Sequence, residues 1–141
     1  EESHAVGIDA GEKDSITDEN RNRLTKLFQK KADEWNTVFL ITGKEDMIVS
    51  KDECFFVQNG SPAMANITGT GCMLGMVCAS YLASASNAFN AALTSTVEFG
   101  IAGELAAKKT MAPGSFQVQL LDSFYQLTEA KRDSLAKIIV Y

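Results

Sequence analysis

The chain is poor in histidine and cysteine, and this limits the chemistry that its side chains can perform. Its one histidine, His4, stands close to the start, so a catalytic triad that needs a mid-chain histidine is excluded within this chain. The three cysteines, Cys54, Cys72 and Cys78, are odd in number and form no Cys-x-x-Cys pair. Neither a disulfide framework nor a zinc site is indicated, and a reduced, cytoplasmic setting is expected.

Long apolar runs and an excess of positive charge are also absent. The longest apolar stretch, 72–85, is shorter than the roughly 20 residues that cross a bilayer, so no membrane span is expected. The net charge of −5 provides no bulk attraction to nucleic acid or to an anionic membrane. The first residues, Glu-Glu-Ser-His, lack the basic and then apolar pattern of a signal peptide.

The overall composition is that of a globular domain. Hydrophobic residues make up 45% of the chain and charged residues 22%, which argues against disorder. A length of 141 residues is enough for one domain with a core of its own. Residues 1–141 are therefore expected to form a single domain.

The first strong periodicity predicts an amphipathic helix over about 18–34, because apolar residues recur there at three- and four-residue spacing. Thr17 or Asp18 is the expected N-cap of this helix. Basic residues, Arg21 among them, line the opposite face. A solvated helix face is the more typical explanation of such a charge run, and a phosphate-binding patch is the rarer one.

Two patterns after this helix predict strands. The run 37–42 is short, apolar and β-branched, and Gly43 closes it. This is typical of a strand buried on both faces of a parallel sheet. Residues 46–50 and 54–58, joined by a polar link, predict a β-hairpin.

The second half of the chain predicts mainly helices. In order, the expected elements are a helix over 72–84 that is buried on most sides, a helix from the cap Asn87 to about Lys109, a break at Pro113-Gly114, a helix capped by Ser115, and a short helix with a strand-like tail over 129–141. A strand, a hairpin and several helices indicate an α/β architecture with helices packed on a sheet.

The segment Thr68-Gly69-Thr70-Gly71-Cys72 leads from a loop directly into the helix expected over 72–84. Two glycines separated by one residue let the backbone turn tightly and approach a ligand without a Cβ clash. N–H groups then point outward at a helix N-terminus, where the helix dipole also favours an anion. The turn is a candidate anion hole for a transferring phosphoryl group. A tight, purely structural entry into a helix is an equally common use of Gly-x-Gly.

The cysteines are expected to differ in role. Cys72 falls in the first turn of the helix, where the dipole favours a thiolate that acts as a base toward a substrate hydroxyl or contacts the substrate. A free cysteine is more commonly a small buried hydrophobic residue. That structural role is expected for Cys54 on a strand and Cys78 inside the apolar helix.

The motifs along the chain resemble those of hydroxyethylthiazole kinases, in the same order and over nearly the whole length. The resembling segments are Gly7-Ile8-Asp9, Leu40-Ile41-Thr42-Gly43-Lys44-Glu45-Asp46, Asn59-Gly60, Thr68-Gly69-Thr70-Gly71-Cys72-Met73-Leu74, Gly100-Ile101-Ala102-Gly103-Glu104-Leu105-Ala106, Pro113-Gly114-Ser115-Phe116 and Leu121-Asp122-Ser123-Phe124-Tyr125. Cys72 is the discriminating residue, because most other members of the ribokinase-like fold have Asp at that position as catalytic base.

The resemblance implies a ribokinase-like α/β fold with helices packed on a mostly parallel sheet, of which this chain would be the C-terminal half. It also implies transfer of the ATP γ-phosphate to the hydroxyl of 4-methyl-5-(2-hydroxyethyl)thiazole, a step in thiamine biosynthesis or salvage. Mg²⁺ is expected with the ATP, because phosphoryl transfer needs the charge of the triphosphate neutralised.

Carried over to the matching positions, the resemblance implies that Thr42, Gly69, Thr70 and Gly71 contact ATP. Gly69 and Cys72 would contact the thiazole substrate, with Cys72 at the position of the catalytic base. Thr42 is expected near the Gly69 turn, because ligands of open α/β sheets bind outside the carboxyl ends of the strands. No magnesium ligand is identifiable in this chain.

The chain departs from the family in length, because family members have a further N-terminal half. The resemblance places an ATP-contacting arginine and acidic residues near magnesium in that half, and it implies homotrimers or association with the missing half. Three alternatives stay open: another ribokinase-like kinase such as a hydroxymethylpyrimidine kinase, a non-catalytic half-domain that completes a partner chain, and a redox protein using Cys72. The redox alternative is disfavoured because no resolving cysteine stands near Cys72 in the sequence.

Overall fold

The computed structural model describes residues 16–141, apart from the side chain of Asp18. The Gly7-Ile8-Asp9 motif and His4 lie outside the described residues. Within 16–141 the elements are, in chain order, α1 (Asp18–Trp35), β1 (Phe39–Ile41), β2 (Asp46–Val49), β3 (Cys54–Val57), a 3-10 helix (Pro62–Asn66), α2 (Thr70–Leu82), α3 (Ala88–Ala107), α4 (Pro113–Tyr125), α5 (Glu129–Leu135) and β4 (Ile138–Val140).

The α1 helix begins where the sequence predicts. Thr17 is its N-cap, and the Asn20 backbone N–H donates to the Thr17 hydroxyl while the Asn20 side chain accepts from the Thr17 backbone N–H. This reciprocal pair satisfies donors that a helix start otherwise leaves free. The apolar face of α1, with Leu24 and Phe28, packs on one face of the sheet.

The described strands form one four-stranded sheet in the order β1-β2-β3-β4, and every pairing in it is antiparallel. The α/β class and the β2–β3 hairpin are confirmed. The expected mostly parallel sheet is not what residues 16–141 form. The link between β1 and β2 is too short for the crossover that a parallel pair requires. Within the described residues β1 is therefore an edge strand with half-buried side chains, not a central strand buried on both faces.

The sheet lies between two helical layers. Side chains of Met47, Val49, Cys54 and Phe56 point toward α1, and all four are buried. The opposite face packs against α3, whose residues are buried over most of its length. Since α2, α4 and α5 all contact α3, this helix is the centre of the second layer.

Two helices differ from their sequence predictions. The helix expected to be buried on most sides is α2, yet Leu74 is its one buried residue, and Met76 is 74% exposed. The reason is that α2 rests on the α3 layer through one face. The α4 helix begins at Pro113, with Ala112 as N-cap, rather than after a break and a Ser115 cap. Proline suits the first turn because the N–H that it lacks has no helical partner there.

Candidate active site

The loop before α2 makes the tight turn that its glycines predict. Gly69 is the N-cap of α2 and has a φ of 93°, a left-handed conformation that favours glycine. The helix starts at Thr70, so Cys72 lies in its first turn, as predicted, and is exposed. The turn therefore presents the N-terminus of α2, with the Cys72 thiol beside it, at the molecular surface.

The N-terminus of α2 is open toward solvent. It has no side-chain cap, and no described residue accepts a hydrogen bond from the backbone N–H of Gly71 or Cys72. A Cβ built on Gly71 meets no atom within 4 Å. Free N–H groups, the positive end of the helix dipole and empty space in front of them are the features of an anion-binding site.

Thr70 anchors the turn. Its hydroxyl donates to the backbone carbonyl of Met64, with 3.3 Å between the oxygen atoms. The start of α2 is thus tied to the preceding 3-10 helix, in which Met64 lies. Thr70 has a structural partner in this turn, and its expected contact with ATP stays a prediction.

Thr42 is exposed at the carboxyl end of β1. Leu40, two residues earlier, packs against the hydrophobic cluster that contains Ile67 and Leu74, which flank the glycine turn. This contact places the end of β1 on the side of the sheet that carries α2. The predicted proximity of Thr42 to the Gly69 turn agrees with that arrangement and stays a prediction at the level of atoms.

Asp46 fixes the turn that follows Thr42. Its carboxylate accepts a hydrogen bond from the backbone N–H of Gly43, with 2.9 Å between the nitrogen and the oxygen. Burial raises the pKa of Asp46 to about 6, against the lowering effect of the Gly43 hydrogen bond. The carboxyl group thus changes charge near neutral pH, next to the residue predicted to contact ATP.

Arg21 corrects one expectation about the basic face of α1. Its guanidinium binds the Glu45 carboxylate at 2.7 Å and stacks over the ring of Phe56 at 4.8 Å. Glu45 also accepts from the Gln58 side chain. At least this residue of the charge run is therefore not a solvated cation, and it stabilises the β1–β2 turn from the side of α1.

The other cysteines have the structural surroundings expected of them. Cys54 is fully buried on β3, beside the hydroxyl of Thr25 at 3.6 Å, and burial raises the pKa of its thiol. Cys78 is half-buried against the cluster between α3 and the sheet. In the part of the chain that the structure describes, no three side chains of His, Cys, Asp or Glu converge as a protein-held metal site requires.

Asn59 and Glu104, to which the sequence patterns assign no role, contact each other on α3. The Asn59 side chain is buried and donates to a carboxylate oxygen of Glu104 at 3.1 Å. The same oxygen accepts from the backbone N–H of Gly60 at 3.0 Å. Asn-Gly predicts only a turn, and residues so distant in sequence carry no periodic signal of contact.

Comparison with known proteins decides the family. The model of the hydroxyethylthiazole kinase family matches residues 1–130. The chain belongs to this family. A hydroxyethylthiazole kinase of Clostridium tetani is 42% identical over 135 residues, which cover 94% of this chain and 48% of that protein. A hydroxyethylthiazole kinase of Clostridium kluyveri is 39% identical over 107 residues, which cover 76% of this chain and 40% of that protein.

The fold agrees with a solved structure of the same family. The structure of the hydroxyethylthiazole kinase of Pyrococcus horikoshii matches with a TM-score of 0.81 and 32% sequence identity, over 87% of this chain and 48% of that one. The fold is therefore ribokinase-like, as the resemblance implies. The chain spans about half the length of the hydroxyethylthiazole kinases that it matches.

Within residues 16–141, every helix is too short or too polar to span a bilayer.

Proposed function

We propose that this chain forms part of an enzyme that transfers the γ-phosphate of ATP to the hydroxyl of 4-methyl-5-(2-hydroxyethyl)thiazole, a step in thiamine biosynthesis. The observation that carries the proposal is the open N-terminus of α2. Its N–H groups at Gly71 and Cys72 have no acceptor among the described residues, and the space over Gly71 is empty. The proposed phosphoryl donor, ATP, and the proposed acceptor, the thiazole alcohol, follow from membership of the hydroxyethylthiazole kinase family.

The turn stabilises the charge that develops on the transferring phosphoryl group. Its N–H groups are fixed before the reaction begins, so no reorganisation is needed when the charge forms. Gly69 and Gly71 leave room for the phosphate oxygens, and Thr42 contacts the nucleotide from the end of β1. Cys72 contacts the alcohol and takes the position of the base, although a loose transition state needs little proton removal.

ATP is a substrate of this reaction, and Mg²⁺ accompanies it in the proposal. The ion would neutralise charge on the triphosphate. The residues described here supply no cluster of three acidic or thiolate ligands, so they do not fit a protein-held magnesium site. The steps assigned to this chain are therefore binding, orientation and charge stabilisation by the turn.

The partial length favours a second candidate, in which this chain has no activity alone and completes a partner. The edge strand β1 supports it, because its backbone groups are free to pair with a further strand and its side chains stay half-buried. The missing half of the family fold, carried by another chain or by another part of the same protein, is the proposed partner. We also propose that residues 1–141 form a single domain, that the assembly is a homotrimer, and that it works in the cytoplasm.

One experiment separates the two candidates. ATP binding and phosphorylation of the thiazole alcohol are measured for the chain alone and for the chain mixed with the N-terminal half of the Clostridium tetani relative. Turnover by the chain alone supports a self-sufficient enzyme, and turnover only in the mixture supports a completing half. Absence of ATP binding in both preparations contradicts the proposed function.

A further inference from the structure

We propose that Asn59 and Glu104 are positioning residues for the turn at the start of α2. They do not face the open N-terminus of the helix. They hold the segment that leads into it, and the inference rests on the proposed function in so far as that turn binds the phosphoryl group.

All hydrogen-bonding groups of the Asn59 side chain are satisfied. Its amide nitrogen donates to Glu104 Oε1 at 3.1 Å and to the backbone carbonyl of Leu135 at 3.0 Å, and its amide oxygen accepts from the backbone N–H of Lys137 at 2.7 Å. The residue is 4% exposed. Both donors and the acceptor are used, so the side chain has one satisfied orientation.

Glu104 joins the same network from α3. One carboxylate oxygen accepts from the Gly60 backbone N–H at 3.0 Å, and both oxygens lie 3.0 Å from Lys137 Nζ. The carboxylate is largely buried and its cationic partner is half-exposed. Since a hydrogen bond to a buried charged group is stronger than one between neutral groups, Glu104 fixes the backbone at Gly60.

The backbone of the segment that begins at Asn59 lies very close to α3. A Cβ built on Gly100 would lie 2.6 Å from the carbonyl oxygen of Asn59, and one built on Gly103 would collide with the sulfur of Met64. The segment from Asn59 to Met64 therefore lies directly on α3. Any displacement of Asn59 must move this segment over the helix surface.

The segment from Asn59 to Met64 is connected to the turn by hydrogen bonds. The Thr70 hydroxyl donates to the carbonyl of Met64, and the backbone N–H of Met73 donates to the carbonyl of Gly69 at 2.9 Å. Glu104 thus holds Asn59, the chain continues from there to Met64, and Met64 in turn holds the first turn of α2. The Asn59-Gly60 and Gly100–Glu104 motifs, which the phosphate-binding role does not use, form this support.

The test compares an isosteric variant with a matched control. Asn59→Asp replaces the amide donor by a carboxylate oxygen that faces Glu104 and the Leu135 carbonyl. The control is Glu98→Gln, which removes a part-buried charge from the same helix where it contacts Tyr81 and Arg132, at the opposite end of α2. If Asn59→Asp does not fold, Glu104→Gln, which keeps an acceptor for Gly60, takes its place.

The readout is backbone amide hydrogen exchange, which does not depend on activity. The amides of Met64, Ile67 and Met73 report on the support and the turn, and the amide of Ala85 reports on the far end of α2. For Asn59→Asp we expect exchange about tenfold faster or more at the first three amides and little change at Ala85. Glu98→Gln should give the reverse pattern. Unchanged exchange at the three amides, or an equal rise at all four, overturns the proposal.

A titration with inorganic phosphate separates this inference from the proposed function. Phosphate should shift the amide resonances of Gly71 and Cys72 in the wild-type chain, and Asn59→Asp should weaken that binding while Glu98→Gln preserves it. If the exchange pattern is as expected but phosphate binds the wild-type turn neither in the chain alone nor in the mixture with the N-terminal half, the proposed anion-binding role of the turn is wrong and the positioning contacts stand. If phosphate binds Asn59→Asp as tightly as the wild type, the positioning inference is wrong.

Discussion

Two glycine pairs stand in opposite surroundings. Gly69 and Gly71 border the N-terminus of α2, and a Cβ on either residue meets no atom within 4 Å. Gly100 and Gly103 lie buried on α3, where a Cβ on Gly100 would stand 2.6 Å from the carbonyl oxygen of Asn59. The first pair leaves space that a ligand can fill, whereas the protein's own chain fills the space beside the second pair.

The difference shows that glycines in a sequence motif do not reveal whether a ligand or the protein's own chain lies beside them. Both pairs occur in segments that resemble family motifs, and both open helical surfaces to close approach. What approaches is decided by the rest of the fold. Substitution by alanine therefore separates the two uses, because it obstructs a ligand in one case and the protein backbone in the other.

The largest effect is expected for Gly71→Ala in the active assembly. The added methyl group enters the space proposed for the phosphoryl oxygens, so kcat should fall by about 10²–10³, as for the loss of one donor of an anion hole. The free energy of unfolding should rise by about 0.5 kcal/mol, because alanine favours the helix and meets no neighbour. Steady-state kinetics and denaturant unfolding measure the two effects.

Gly75→Ala is the matched control for this substitution. Gly75 lies one turn further along α2, and its Cβ also meets nothing within 4 Å. It should gain stability and keep kcat. Equal kcat values for the two variants would show that the turn is only structural.

Gly100→Ala should have the opposite effect on stability. Its methyl group cannot fit without moving the backbone of Asn59 or the α3 helix, and overpacking of this kind costs about 1–3 kcal/mol. Denaturant unfolding measures the loss. A variant as stable as the wild type would show that α3 can shift away freely, and the contrast between the glycine pairs would then fail.

The turn between β1 and β2 provides a further comparison, because the side chain of Asp46 stabilises it through a hydrogen bond to Gly43. The pKa of Asp46 is raised to about 6, so the stability that its neutral form contributes is complete below the ordinary value of 3.8 and is lost as pH rises through about 6. In Asp46→Asn the amide oxygen still accepts from Gly43 without titrating. Above about pH 7 the variant should be more stable than the wild type by up to about 3 kcal/mol, since one unit of pKa corresponds to about 1.4 kcal/mol.

Melting temperatures across the acid-to-neutral range test this prediction. The two proteins should melt together at a pH below the ordinary aspartate pKa and diverge as the pH rises. A constant difference between them at every pH would mean that Asp46 does not titrate in the folded protein in this range.

The smallest effect is expected for Cys72→Ser. The thiol lies in the open turn. In the proposed function, the backbone N–H groups and not the thiol stabilise the charge of the phosphoryl group. A loose phosphoryl-transfer transition state needs little help from a base, so kcat should fall by no more than about tenfold. A fall of about 10² or more in kinetic assays of the active assembly would identify Cys72 as a general base.

Much of the fold follows from the sequence by local patterns. The cap at Thr17, the β2–β3 hairpin and the cap at Asn87 are where spacing and turn residues predict them. The antiparallel pairing of the described strands did not follow from the pattern, because an apolar run such as 37–42 suits any half-buried strand and only the short link to β2 decides the direction of pairing. The exposure of α2 was missed because small residues do not reveal which face has a neighbour.

The local part of the candidate site could also be predicted from the sequence. Gly-x-Gly before an apolar helix was enough to place Cys72 in the first turn. The contact between Asn59 and Glu104 could not be predicted from the sequence. It depends on how α3 packs against the loop after β3 and not on the local conformational preference of either residue. The same applies to Arg21, whose burial against Glu45 is a property of the layer packing.

The pairing of β4 with β3, which sets Val140 opposite Phe55, has a consequence for the order of assembly. Lys137 and the carbonyl of Leu135 reach Asn59 only when this pairing brings the distant segment back to the sheet. Contacts so far apart in sequence form late, and a chain emerging during synthesis folds its first parts before its last. The hairpin and α1 have partners early, but the turn at the start of α2 gains its full support only once residues up to Val140 have been synthesised. A nascent chain that ends before β4 would therefore lack this support.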